Sequence, residues 1–296
     1  MSEFLQQLLN GLSLGAIYAL IALGYTMVYG VLRFINFAHS DVFMVGAFIG
    51  YYMGKLVPEN TVWGGLVVLI VAMLGCAVLG MVIERLAYRP LRGAPTLNVL
   101  ITAIGVSLLL EYSGQVFFGA TPRTFPSVFP SVNFTLGDLV ISSNQVVVIV
   151  VTALLMVGLQ FIVHRTKIGT AMRAVSLNPK AAQLVGVNND IVISFTFGLG
   201  SALAAAGGIL YALNYPSIDP LMGVMPGLKA FVAAVLGGIG NIPGAALGGL
   251  LLGTVETFVN GSQWSTYKDA IAFAILIIIL LFRPTGLLGK ASSEKV

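Results

Sequence analysis

Long stretches of this chain are apolar and almost free of charge, and this feature limits what it can fold into. A transmembrane helix needs about 20 mostly apolar residues. Stretches that meet this criterion lie near residues 10–32, 37–54, 62–84, 97–118, 144–163, 190–213 and 268–282. With 57% hydrophobic and only 9% charged residues, the chain cannot form a soluble domain with a wetted surface. We therefore predict an all-α, polytopic membrane protein whose single transmembrane domain covers residues 1–296.

An eighth apolar stretch, 228–259, is interrupted by glycine and proline between residues 237 and 244. These residues disfavour a continuous helix, so the stretch forms two half-helices or a short helix and a longer one. Glycines recur every fourth residue at 240, 244 and 248, and again at 249 and 253, which favours close helix packing. Backbone groups freed by the break need protein or a water-filled cavity around them, which makes Asn241 a candidate for a solute path.

Lysine and arginine are distributed unequally between the loops, which predicts the orientation in the membrane. Eleven fall on the side of the loop 164–189 and four on the side of the loop 119–143. We therefore place the first loop in the cytoplasm and the second outside, with the N-terminus outside and the C-terminus inside. The eleven are Arg33, Arg85, Arg89, Arg92, Arg165, Lys167, Arg173, Lys180, Arg283, Lys290 and Lys295, against Lys55, Arg123, Lys229 and Lys268. Because these charges are scattered over several loops, they indicate membrane orientation and do not form a nucleic-acid-binding surface.

Enzymatic motifs are weak in this chain. No Walker A motif is present, so the chain cannot hydrolyse ATP by itself. Residues 11–15 match G-x-S-x-G, but a predicted helix surrounds them, whereas a nucleophile elbow needs a preceding strand. An intramembrane protease that pairs Ser13 with His39 or His164 remains a minor alternative. The lone Cys76 has no partner for a disulfide, and no group of residues has the spacing of metal ligands.

Three acidic residues, Asp41, Glu111 and Glu256, lie in apolar segments, where a charge is costly and often functional. Asp41 also suits the start of a helix, since the helix dipole favours an acid there. We expect all three to lack a lysine or arginine partner within the membrane, which argues against a proton relay. Each could still bind a single proton or sodium ion.

The loop 164–189 carries four positive charges and a short segment that begins with Asn178 and Pro179. Proline suits the first position of a helix, and Gly186 suits the residue just after its end. The loop is typical of a docking surface for a soluble partner.

Five segments together resemble the LivH-type permeases of bacterial branched-chain amino-acid ABC importers. They are GAIYALIALGYTMVYG at 15–30, INFAH at 35–39, IERLAYRPLR at 83–92, KAFVAAVLGGIGNIPG at 229–244 and RPTG at 283–286. The resemblance runs over essentially the whole chain and is specific as a combination. One departure is Ser40, where the family usually has glycine.

The resemblance implies a multi-pass subunit of the bacterial inner membrane that works with several partners. These are a second, LivM-like permease or a second copy of this chain, two ATP-binding subunits and a periplasmic amino-acid-binding protein. ATP and magnesium would bind in those partners, and this chain would hold no cofactor. The residues that resemble an ATPase-coupling helix are Arg173, Asn178, Pro179, Lys180, Ala181, Ala182 and Gly186.

The expected mechanism is alternating access, in which partner ATPases move the loop 165–189 and open a central path to one side. The path would carry branched-chain or other neutral amino acids. Candidates for its polar lining are Asn36, His39, Asp41, Asn98, Thr102, Asn241 and Glu256. The alternative is an ion-coupled secondary transporter that uses the break at 237–244 and one acid as its ion site.

Overall fold

The computed structural model describes residues 2–289 and is mainly helical. The α-helices of this range are α1 (Ser2–Leu32), α2 (His39–Gly54), α3 (Val62–Ile83), α4 (Thr96–Phe118), α5 (Ser143–Arg165), α6 (Lys167–Leu177), α7 (Pro179–Leu184), α8 (Asn189–Asn214), α9 (Val224–Gly237), α10 (Ile242–Asn260) and α11 (Lys268–Phe282). A π-helix (Glu84–Tyr88) and a 3₁₀ turn (Arg89–Leu91) prolong α3, and a further 3₁₀ turn (Ser265–Tyr267) precedes α11. The four short strands are β1 (Arg123–Thr124), β2 (Asn133–Leu136), β3 (Leu139–Ser142) and β4 (Ser217–Ile218).

Seven helical segments of the described range are long and apolar enough to cross a membrane, which confirms the predicted fold class. They are α1, α3 with its extension to Leu91, α4, α5, α8, α10 and α11 with its preceding turn. The set differs from the expected one at two places. The segment expected at 37–54 is the 16-residue α2, which at about 24 Å is short for a span. Residues 242–260, expected to be part of a broken pair, form a full-length helix.

The break in the eighth apolar stretch lies at Gly238–Asn241, where Gly238 and Gly240 have φ angles of +104° and +91°. Glycine adopts such angles without strain, so the chain reverses here. The break leaves 14 residues for α9 and 19 for α10. Of the two predicted forms, a short helix followed by a longer one is therefore the correct one.

The first helix, α1, is the centre of the bundle, since 94% of its most apolar 18-residue stretch is buried. Among the other helices, α10 packs most extensively against α1. A methyl group at Gly253 would collide with the backbone of Gly15, and one at Gly249 would collide with Ala19. The glycines of α10 therefore bring the two backbones together, as their four-residue spacing predicts.

A second close crossing joins α2 to α8 in the same way. A side chain at Gly46 would collide with Ala205, and one at Gly208 would meet the carbonyl oxygen of Phe43. Because α8 also packs along α1 and α3, these crossings fix α2, α3 and α8 around one interior.

Loops gather at two opposite ends of the bundle. The hairpin end contains the β2–β3 hairpin, and there β1 pairs antiparallel with β4, with Arg123 opposite Ile218. The basic end contains residues 84–95 and 165–188, and there the C-terminal segment packs on the break, with Leu288 N donating to Gly237 O at 3.0 Å.

The expected separation of positive charge holds in the part of the chain that the structure describes. Nine of the eleven residues expected on one side lie at the basic end, and Lys290 and Lys295 lie outside the described residues. The other four lie toward the hairpin end. Lys229, however, belongs to α9 and not to a loop.

We predict that Gly253→Ala lowers the free energy of unfolding by about 1–3 kcal/mol, because the new methyl group overpacks the α1–α10 contact. The matched control is Gly158→Ala on α5, where a methyl group would meet nothing within 4 Å. That control should be neutral or stabilising by up to about 1 kcal/mol, since alanine is the better helix former. Thermal unfolding of the detergent-solubilised protein measures both. Equal effects of the two variants would contradict the close α1–α10 contact.

Candidate coupling surface and candidate translocation path

The short helix α7 is built as the sequence predicts. The side chain of Asn178 caps it, accepting a hydrogen bond from Ala181 N at 3.1 Å, and Pro179 occupies the first turn. Gly186 has a φ angle of +87° and follows the helix end, where Val187 N donates to Ala182 O at 3.0 Å. The predicted helix is thus confirmed, while its role in docking stays a prediction.

The seven predicted coupling residues differ in their exposure to solvent. Arg173, Asn178, Pro179, Lys180, Ala181 and Gly186 are exposed, and Ala182 is only 3% exposed. Ala182 faces the bundle, and α7 rests on the bundle through that side.

Three large apolar residues of this segment project into solvent, and the sequence interpretation did not include them. Leu177, Leu184 and Val185 are 82%, 89% and 78% exposed. A helix of six residues is too short for its hydrophobic spacing to show which side faces outward. We define the α7 surface as Leu177, Leu184 and Val185 with the neighbouring Arg173 and Lys180. A contiguous exposed apolar patch outside the membrane spans is typical of a protein-binding site.

The α7 surface is connected to the bundle through the start of α8. The side-chain amide of Asn189 donates to Pro179 O at 2.9 Å. The next residue, Asp190, accepts hydrogen bonds from Arg89 and from Arg92, the latter at 2.5 Å.

Glu84 is the centre of a charged cluster beside this connection. It is fully buried at the start of the π-helix, pairs with Arg92 and accepts a hydrogen bond from Ser194 Oγ at 2.5 Å. Glu84, Arg92 and Asp190 thus join the end of α3 to α8. A cavity of about 700 Å³ lies between this cluster and α7.

Three of the predicted path residues lie together at the start of α2. Asn36 accepts a hydrogen bond from Tyr88 OH at 2.5 Å, and the ring of His39 packs on Tyr25 with a centroid distance of 4.7 Å. Asp41 is buried and accepts a hydrogen bond from Ser107 Oγ at 2.5 Å. These polar groups sit inside the bundle near the basic end.

The remaining predicted path residues are dispersed. Asn98 is exposed and Thr102 half-buried, both on α4. Asn241 caps α10 by accepting from Gly244 N at 3.2 Å, and its amide donates to Leu288 O at 2.6 Å. The C-terminal segment thus supplies hydrogen-bond partners at the break. A role of these residues in a path stays a prediction.

Glu256 has a lysine partner, and the expectation that the membrane acids lack one is wrong for it. Lys229 Nζ lies 2.6 Å from Glu256 Oε1 and 2.6 Å from Asp269 Oδ1, and Tyr18 OH donates to Glu256 Oε2 at 2.9 Å. The error arose because Lys229 was assigned to an external loop, whereas α9 begins at Val224 and carries Lys229 into the bundle. Glu256 and Lys229 line a cavity of about 730 Å³ at the hairpin end.

The serine and histidines of the protease alternative are separated. The partner of Ser13 is Asn214, whose amide donates to Ser13 Oγ at 2.9 Å. His39 packs on Tyr25, and His164 Nδ1 lies 3.1 Å from Gln160 O. Ser13 therefore has an amide where a nucleophile needs a base.

Three known proteins that this chain resembles belong to one class of transport protein. Residues 7–280 match the protein family described as "Branched-chain amino acid transport system / permease component". The chain is 44% identical to the high-affinity branched-chain amino acid transport system permease protein BraD of Pseudomonas aeruginosa, over 99% of this chain and 98% of that protein. It is 42% identical to LivH of Escherichia coli, a permease protein of the same description, with the same coverage. It is 30% identical to a probable LivH of Methanocaldococcus jannaschii, over 91% of this chain and 88% of that protein.

We predict that Glu84→Gln destabilises the protein by about 1–3 kcal/mol, because the change weakens the hydrogen bonds of a buried carboxylate to Arg92 and Ser194, while Arg92 keeps Asp190 as a partner. Hydrogen exchange should increase in residues 84–92 and 189–194, the two segments that Glu84 joins. The matched control is Glu59→Gln, an exposed acid at the hairpin end, which should leave exchange and stability unchanged. Unchanged exchange in both variants would show that Glu84 does not join α3 to α8.

Proposed function

The chain belongs to the branched-chain amino acid transport system permease family, and from this membership we propose the membrane-spanning subunit of an ATP-binding-cassette importer. Its cargo is a branched-chain or another neutral amino acid. It is a transporter component and not an enzyme.

The proposed assembly contains two ATP-binding subunits, a periplasmic amino-acid-binding protein and a second permease, which is LivM-like or a second copy of this chain. The family description supports this proposal, because it names the chain as one component of a transport system. ATP and magnesium bind in the partner subunits, and this chain holds no cofactor. The absence of a Walker A motif is consistent with that division.

In the proposed orientation the basic end faces the cytoplasm of the bacterial inner membrane and the hairpin end faces outward. The separation of positive charge between the two ends supports it. Both ATP-binding subunits then meet the basic end, where the α7 surface lies.

The α7 surface is the observation that carries the proposal. Three apolar side chains exposed by 78% or more, next to Arg173 and Lys180, suit an apolar cleft rimmed with acidic residues on an ATP-binding subunit. When the ATP-binding subunits close, they displace α7. The contact of Pro179 with Asn189 passes the displacement to α8, and the cluster around Glu84 passes it to α3. The helices then tilt and the path opens toward the other side.

The path itself is proposed to run through the apolar interior, with Asn36, His39 and Asp41 as polar contacts near its cytoplasmic end. An ion-coupled transporter is the alternative. It has lost one candidate ion site, because Lys229 neutralises Glu256. Asp41, with its hydroxyl partner Ser107, and Glu111 remain the acids on which that alternative depends.

We expect Leu184→Asp to abolish co-purification of the ATP-binding subunits and to reduce leucine uptake by at least about ten-fold, because a charge replaces an apolar contact at the centre of the interface. The assay is affinity purification of the tagged chain from membranes, with parallel measurement of labelled leucine uptake by cells.

The matched control is Leu56→Asp at the hairpin end, where Leu56 is 77% exposed, compared with 89% for Leu184. This variant should retain the ATP-binding subunits and transport. Retention of the subunits by Leu184→Asp would refute the α7 surface as the coupling site. Ala182→Asp is less informative, because that residue is buried and its change also disturbs folding.

A further inference from the structure

The cavity at the hairpin end lies among the ends of α1, α5, α8, α9, α10 and α11. Its volume of about 730 Å³ falls in the range of small-molecule sites, roughly 300–1,000 Å³. Besides charged residues, polar side chains from several helices line it. They include Asn10, Ser13, Asn144, Gln145, Asn214 and Asn260.

Four charged residues line this cavity, and their formal charges cancel. Lys229 and Lys268 are the two bases, and Glu256 and Asp269 are the two acids. Lys229 and Glu256 are both buried and face each other at the bottom. The side chain of Asp269 is 41% exposed and reaches Lys229 from the open side. A neutral cavity with separated charges of both signs matches a ligand that also carries one charge of each sign.

Two side-chain oxygens of residues that line this cavity, Asn144 Oδ1 and Asp269 Oδ1, are buried and accept no hydrogen bond from the described residues. The side-chain oxygen of Asn144 is buried and accepts no hydrogen bond, whereas its amide nitrogen donates to Leu213 O at 3.1 Å. Leaving a buried acceptor unsatisfied costs free energy, and native proteins seldom do so. The Asn144 oxygen is closed off from the cavity in the present conformation, so an N–H donor of a ligand reaches it only after rotation of the Asn144 side chain.

We propose that this cavity is a transient binding subsite for the zwitterion of an α-amino acid, an inference that rests on the proposed function. The carboxylate of the amino acid binds Lys229 in place of Asp269. The ammonium group binds the released Asp269 and, after rotation of its side chain, the oxygen of Asn144. Glu256 stays paired with Lys229 and Tyr18 throughout, so no charge is left buried without a partner.

The side chain of the amino acid has apolar surface within the same cavity. Leu14, Leu213, Met225 and Pro226 contribute it between the polar groups. The subsite therefore accepts an aliphatic side chain and disfavours an amino acid with a net charge. It lies at the end that we assign to the outside, where cargo released from a binding protein would enter.

The test measures leucine binding by saturation-transfer NMR to the complete transporter in nanodiscs, in the absence of the binding protein. We expect weak binding of leucine. We expect at least about ten-fold weaker binding of 4-methylpentanoate, which lacks the ammonium group, and of 3-methylbutylamine, which lacks the carboxylate, since each loses a charge-assisted contact.

The variant Asp269→Asn should weaken leucine binding by at least about ten-fold, because it removes the ammonium partner while Glu256 still pairs with Lys229. The matched control is Asp138→Asn, an exposed acid at the turn of the β2–β3 hairpin, which should bind leucine like the wild type. If Asp269 has a structural role only, its change will lower the melting temperature and leave the preference for leucine over the two analogues unaltered, which overturns the proposal.

A second measurement distinguishes failure of the subsite from failure of the proposed function. It is leucine uptake by the complete transporter reconstituted in liposomes, with the binding protein and ATP. Intact ATP-driven uptake without detectable leucine binding, or binding of 4-methylpentanoate as strong as that of leucine, would overturn the subsite alone. Absence of ATP-driven uptake in the wild type would overturn the proposed function and the subsite with it.

Discussion

The close contact of α1 with α10 is the constraint on which the rest of the bundle depends. In a bilayer no hydrophobic force drives two apolar helices together, so they associate through close packing of small residues and a few polar contacts. Gly15, Gly249 and Gly253 allow this approach. It brings Tyr18 of α1 to Glu256 of α10 and so completes the buried pair with Lys229. The close packing of these glycines therefore also determines where the buried charges lie.

The helix α8 connects the two ends of the molecule. It has 26 residues and is about 39 Å long. It begins at the charged cluster beside α7, where Asp190 meets Arg92, and ends at the cavity of the hairpin end, where Asn214 meets Ser13. It packs on α1, α2 and α3, and such packing favours motion as a rigid element. A displacement that enters at α7 can thus reach the proposed amino-acid subsite without any flexible segment between them.

Much of the fold could be predicted from local sequence, and most of the side-chain pairing could not. Apolar length predicts the spans, and the glycines with positive φ at 238 and 240 lie inside the predicted break. Asn178, Pro179 and Gly186 carry enough local chemistry to predict α7. By contrast, the pair of Lys229 with Glu256 depends on where α9 begins and on how it crosses α10, which no local pattern encodes. The inward side of Ala182 likewise depends on the contact of α7 with α8.

We propose that this permease moves amino acids only when partner subunits hydrolyse ATP. The most direct test is labelled leucine uptake into liposomes that contain either the purified chain alone or the complete transporter. Our account predicts no uptake by the chain alone under a proton or sodium gradient, and uptake by the complete transporter that requires ATP and the binding protein. Gradient-driven uptake by the chain alone would contradict the account and establish the ion-coupled alternative.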